Sequence, residues 1–177
     1  MIPQQNDLEL RRATTSDAGG IWQLLEQAIE KRKQEGSNQW QDGYPNPNVV
    51  AADIEKGYGY VCTDEAGAVI GYTALIFDGE PAYEALEGKW LTNRRYAVIH
   101  RLATATGQKA VKGLGTQIMT AVETVCRQQG VFSIKADTNF DNAGMLRVFE
   151  KLGYIYCGEV YFRGAARKAF EKKLDTE

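Results

Sequence analysis

The chain has 177 residues, enough for one domain with a sizeable core. Its 44% apolar and 25% charged residues are ordinary for a globular protein, and 21 basic against 23 acidic residues give a net charge of −2. That balance argues against a partner held by nucleic-acid phosphates, and no apolar run is long enough to span a bilayer.

The polar start "MIPQQNDLELRR" lacks the apolar segment of a secretory signal. Cys62, Cys126 and Cys157 are far apart and each lies among apolar neighbours. They read as reduced core thiols of a cytoplasmic protein. With a single histidine, no dedicated metal site is expected.

Leu8 to Ala13 reads as a first strand. "TTSDA" offers caps for a helix whose stripe is Ala18, Ile21, Leu25, Ala28 and Ile29 and which ends at Gly36. "EGSNQWQDGYPNPN" is a loop carrying two large aromatics, Trp40 and Tyr44. They either plug the core or wall a substrate pocket. A short helix is expected over Val49 to Lys56. Tyr58 to Thr63 and Ala68 to Phe77 form a hairpin around "DEAG". "DGEPAYEALEGKW" reads as a polar, acidic connection, and Tyr96 to Ala103 as a buried strand. A helix follows from about Gly113, with Leu114, Ile118, Ala121, Val122 and Val125 on its stripe. Phe132, Ile134 and Ala136 alternate along a further strand. A shorter helix carries Met145, Leu146, Phe149 and Leu152 on one face and stops at Gly153. Tyr154 to Phe162 and Ala165 to Leu174 read as closing strands. This order predicts a mixed α/β sheet with helices on its faces.

The glycines of "AVKGLGTQIM" pose the functional question. The first N–H groups of a helix lack partners and the helix dipole favours an anion there, while glycine lets a phosphate approach the backbone. Lys112 adds a positive charge and Lys109 can add another. The P-loop pattern G-x-x-x-x-G-K-S/T does not fit. The dinucleotide pattern G-x-G-x-x-G fails too, because Ile118 stands where the third glycine belongs. On its own the glycine pair is a phosphate site or plain helix-start chemistry.

Together, "IHRLATATGQKAVKGLGTQIM" and "DTNFDNAGMLRVFEKLGY" resemble the two signatures of the GNAT superfamily of acetyl-CoA-dependent N-acetyltransferases. The first is Gln/Arg-x-x-Gly-x-Gly/Ala after a buried strand. The second is an Asn, a short helix and a Gly-aromatic ending. "QWQDGYP", "GKWL", "YAVIHR" and "YCG" are similar to a bacterial branch of that family. The resemblance runs over nearly the whole chain. It implies a single GNAT domain over residues 1–177, built on a central twisted, mostly antiparallel sheet of about seven strands flanked by helices on both faces.

The resemblance also implies site residues. The coenzyme diphosphate would lie on the backbone from Ala110 and Val111 through Lys112, Gly113 and Leu114 to Gly115 and Thr116. The pantetheine arm would run along Leu102, Ala103 and Thr104, where a backbone N–H would polarise the thioester carbonyl. Asn142 would contact the arm, serve as a helix N-cap, or do both. Two departures stand out. Ala110 replaces the first Gln or Arg of the signature, in a loop slightly longer than usual. Phe149 stands where many members carry the Tyr that protonates the leaving thiolate, and phenylalanine has no proton to give.

The reaction implied is direct attack of a primary amine on acetyl-CoA, and something must take the proton of the amine. His100, Glu80, Glu84 and Asp137 are the candidate bases. Tyr156 is the candidate acid in place of a phenol at 149, with Tyr154 and Tyr161 as alternatives. Cys157 as an acyl carrier is a minor alternative. Trp40, Tyr44 and Glu84 are the candidate acceptor contacts, each with a bland alternative as core plug or solvated acid. Three functions follow: acetylation of a small-molecule amine, acetylation of a protein N-terminus or lysine, or a non-catalytic acyl-CoA sensor. A homodimer is possible from the resemblance.

Overall fold

The computed structural model describes residues 8–175. Most of the polar start "MIPQQNDLELRR" lies outside the described residues. Eight strands form one sheet: β1 (Arg11–Arg12), β2 (Gly59–Thr63), β3 (Val69–Ile76), β4 (Glu87–Gly88), β5 (Ala97–Thr104), β6 (Ser133–Thr138), β7 (Ile155–Phe162) and β8 (Ala165–Lys173). The helices are α1 (Ala18–Gln34), α2 (Pro47–Glu55), α3 (Pro81–Glu84), α4 (Leu114–Gln128) and α5 (Ala143–Leu152). The spatial order is β1-β2-β3-β5-β6-β8-β7-β4. Every pairing is antiparallel except β5 with β6.

The elements form for local reasons. Asn46 caps α2 by accepting from the Val49 amide at 3.0 Å, and Pro47 stands at the first helical position, where no donor is needed. Leu114, Ile118, Met119, Val122 and Cys126 make the buried stripe of α4. Gly130, at φ +71°, ends that helix by letting the Val131 amide return to the Cys126 carbonyl at 2.9 Å. β3 is buried along nearly its whole length because helices cover both of its faces. Neighbouring residues show this. A Cβ at Gly71 would lie 2.6 Å from Ile118 of α4, whereas the Tyr72 hydroxyl, on the opposite face, donates to Asp53 of α2.

Two expectations are corrected. The first strand, read as Leu8 to Ala13, shrinks to the Arg11–Arg12 pairing with β2, extended only by the Ala13 amide donating to the Gly59 carbonyl at 2.8 Å. "DGEPAYEALEGKW" is more than a connection, since it holds the single turn α3 and the eighth strand, β4. β4 forms because two glycines let backbones approach: a Cβ on Gly158 would sit 2.1 Å from the Glu87 carbonyl, and one on Gly88 would sit 2.1 Å from that of Cys157.

The entry to α1 is set by Asp17. Its carboxylate accepts both guanidinium arms of Arg11 at 2.8 and 2.9 Å and the Thr14 amide at 2.8 Å. Chiefly through Arg11, the carboxyl is held at about 2, below its usual 3.8. The unfolded chain therefore binds this proton more tightly. The stabilisation is full above pH 3.8 and is lost as pH falls through about 2. Asp17→Ala is expected to cost about 1–2 kcal/mol at neutral pH. In denaturant titrations the gap from the unmodified protein should close as the pH drops from 3.8 to about 2.

Candidate active site

The parallel pairing of β5 with β6 covers only Ala97, Val98 and Ile99 against Ile134, Lys135 and Ala136. Beyond Ile99 the strands part. β5 continues along β3 to Thr104, and β6 continues along β8 to Thr138. A cavity of about 1090 Å³ occupies this split. Its walls include β5 from Ile99 to Thr104, the end of β6 from Ala136 to Thr138, the side of α1, and parts of α5.

Leu102, Ala103 and Thr104 line it, along the edge of β5 that has lost its strand partner. At its far end the wall is made by Gly107, Ala110, Val111 and Gly115. Gly113 takes the left-handed conformation, φ +76°, directly before α4. Among the described residues the amides of Val111, Lys112, Gly113, Gly115 and Thr116 find no acceptor. A Cβ at Gly113 or Gly115 would meet nothing within 4 Å. These free donors and open space make an anion cradle. Leu114 turns its side chain into the core, so only its backbone belongs to the loop.

Asn142 lines the cavity and also caps α5, its side-chain oxygen accepting from the Met145 amide at 3.1 Å. Its other end donates to Gln39 at 3.2 Å. Gln39 in turn accepts from buried Arg32, which also reaches Ser37 at 2.8 Å and Asp141 at 2.6 Å. This cluster ties α1 to the start of α5.

At the opposite end His100 and Glu80 meet, with His100 Nε2 3.3 Å from Glu80 Oε2. The hydrogen bond from His100 holds the Glu80 carboxyl below its usual range, against partial burial. Asp137 accepts the Tyr83 hydroxyl at 2.6 Å and lies 2.5 Å from Arg167 Nε. Trp40 and Tyr44 line this end as well. Asp42 pairs with Arg163 at 2.6 Å, and the Arg163 guanidinium lies 4.2 Å from the Tyr44 ring centre. The loop is thereby fastened to the β7–β8 turn.

Glu84 and Tyr156 lie elsewhere. The single turn α3 points Tyr83 inward, which leaves Glu84 exposed and off the cavity wall. Tyr156 is 51% exposed on β7 and packs edge-on against Phe170 at 5.6 Å. Tyr154 and Tyr161 also stand off the wall, whereas Phe149 is on it, packed 4.6 Å from Phe170. All three cysteines are buried and unpaired. Burial pushes the Cys62 thiol up to about 11 and Cys126 to about 12, and it raises Cys157 as well, which keeps them protonated.

Sequence reasoning missed Arg101. It sits at φ +57° in a bulge of β5, where the register to β3 slips. Its Nε and Nη2 grip Asp53 at 2.9 and 2.6 Å, and its Nη1 donates to the Tyr44 hydroxyl. A lone charge inside an apolar strand demands a partner, and that signal was present in "YAVIHRLA". Arg167 and Tyr83 were also missed.

Among the described residues no helix is long and apolar enough to cross a membrane. No curated protein matches the chain. The sequence pattern of the Acetyltransferase (GNAT) family matches residues 22–154. A GNAT family acetyltransferase from Streptococcus agalactiae is 34% identical, with 96% of this chain and 97% of that one covered and a TM-score of 0.86. A GNAT family acetyltransferase from Listeria monocytogenes is 21% identical, covering 94% of this chain and 95% of its own, with a TM-score of 0.75. A GNAT superfamily phosphinothricin acetyltransferase from Sinorhizobium meliloti, solved in complex with AcCoA, is 16% identical, covers 95% and 89%, and has a TM-score of 0.67. The split sheet, the free amides before α4 and these matches agree: the chain belongs to the GNAT family of acetyltransferases.

Proposed function

We propose that the protein moves an acetyl group from acetyl-CoA to the primary amine of a small molecule by direct attack. The residues present fit the coenzyme. The free amides of Val111, Lys112, Gly113, Gly115 and Thr116, the open space at Gly113 and Gly115, and the charge of Lys112 suit its diphosphate. The unpaired edge of β5 at Leu102 to Thr104 suits the amides of the pantetheine arm, and Asn142 lines the same cavity. When bound, acetyl-CoA supplies the activated acetyl group.

The protein's own part is to place the amine and take its proton. The Glu80 carboxylate attracts a cationic amine, and the His100–Glu80 pair is the group placed to receive the proton. Phe149 supplies no acid, and Tyr154, Tyr156 and Tyr161 stand off the cavity wall. A thiol loses its proton at about 8.5, so the leaving sulfur can depart without a dedicated phenol.

The observation that carries the choice of a small acceptor is the loop bearing Trp40 and Tyr44, fastened by Asp42–Arg163 and Tyr44–Arg101. Two aromatics held on the cavity wall by a fastened loop favour a small molecule over a protein lysine or N-terminus. Release of free thiol from acetyl-CoA, measured with amine and peptide panels, tests this. Turnover with peptides alone would overturn the acceptor class. Coenzyme binding without turnover on either panel would favour a sensor.

Gly115→Val tests the cradle separately. Its side chain would enter open space, so the melting temperature of the free protein should hardly move. The Kd for acetyl-CoA by calorimetry should rise by at least about tenfold. An unchanged Kd would remove the diphosphate from this loop.

A further inference from the structure

We propose that the acceptor carries, besides its amine, an anionic oxygen group, in the simplest case a carboxylate, and that Arg167 receives it. The proposal rests on the small-amine reading above and names the substrate class. Three guanidinium groups line the acceptor end, and they differ in what they already hold. Arg101 is engaged by Asp53 and Tyr44. Arg163 lies at the rim, 41% exposed, fastened to Asp42 and laid over Tyr44.

Arg167 is the exception. Its side chain is 14% exposed and lines the cavity. Its Nε lies 2.5 Å from Asp137 Oδ1, but so poorly aligned that Nε makes no hydrogen bond. The other Asp137 oxygen is taken by the Tyr83 hydroxyl. Among the described residues the two Nη groups of Arg167 have no acceptor. A guanidinium presents five donors in a rigid fork, and the Nη donors of this one are free to meet a ligand in the cavity. That fork matches the two oxygens of a carboxylate, or two of a phosphonate, in paired hydrogen bonds.

The spacing suits a small zwitterion. The Arg167 guanidinium and the His100 ring each lie 5.9 Å from the centre of the same Phe162 ring. Both groups flank one ring, so a short molecule whose anionic end meets Arg167 can bring its amine toward His100 and Glu80. Negative charge at Glu80 and unsatisfied positive donors at Arg167 set the direction in which an amino acid enters.

The test compares short amino acids, their amides, the decarboxylated amines and aminoalkylphosphonates of equal length, using acetyl-CoA and reading kcat/KM. Acids should exceed amides by about tenfold to a hundredfold, and Arg167→Gln should erase that ratio. The phosphonate arm shows which anion the fork prefers, and a preference for either supports the proposal. Equal use of acids and amides by the unmodified protein would overturn it, as would an Arg167→Gln variant that keeps the ratio. Thermal shift by the same acids and amides, with coenzyme A present, reads the preference without turnover. A protein that favours acids but acetylates nothing overturns only the transfer reading. One that acetylates or binds both alike overturns only this inference.

Discussion

Asp53→Ala is expected to remove about 3–5 kcal/mol of stability, because it leaves the Arg101 charge buried and unpaired. The two side chains are 5% and 9% exposed, and Asp53 also accepts from Tyr72, which is fully buried. For a chain of this size the melting temperature should fall by about 10 °C. Exchanging both partners for apolar residues, as in Asp53→Leu with Arg101→Met, should recover a large part of the loss, since a paired apolar replacement leaves no orphan charge. The left-handed backbone at residue 101 has the same steric cost for Met as for Arg, so the comparison isolates the charge. Loss of Arg101 also frees Tyr44, so the KM for the acceptor should rise in the double variant. A single variant within about 1 kcal/mol of the unmodified protein in denaturant titration would show that the pair does not hold the bulge.

Glu80→Gln is expected to lower kcat about 10²-fold while the KM for acetyl-CoA stays near its starting value, if Glu80 handles the proton of the amine and the coenzyme diphosphate is held at the loop before α4, as proposed. The pH dependence separates Glu80 from its partner. The folded carboxyl lies below its unfolded value of 4.5, held there by His100. Whatever this pair adds to stability is therefore present above pH 4.5 and is lost as pH falls through the lower folded value. A fall in activity centred above pH 5 would belong to a group other than Glu80, whose folded carboxyl lies below 4.5. The pH–rate profile of the two proteins measures this. A Glu80→Gln variant with unchanged kcat would move the proton acceptor elsewhere.

The parts of the molecule legible in the sequence are those with local signals. The α4 stripe, the Asn142 cap, and the glycine ahead of α4 are written within a few residues of where they act. The buried strand Tyr96 to Ala103 and the closing hairpin likewise matched their elements closely. Strand β4 was invisible because it exists only through two glycine backbones that meet across the sheet. The partner of Arg101 lies 48 residues away, and no periodicity points from one to the other. Tyr156 illustrates the opposite failure. Residue type suggested an acid, but the pleat of β7 turns that phenol toward Phe170 rather than the split in the sheet.

The sheet order has a consequence for how the chain is made. β8 lies between β6 and β7, yet it is the last of the three to leave the ribosome. Until it emerges, β6 has an open edge on one side and β7 cannot join the growing sheet at all. A nascent chain halted just before Ala165 would expose two unpaired edges together, the state most prone to aggregate or to be held by a chaperone. Shortening the chain within β8 would divide the sheet through its interior rather than fray its rim.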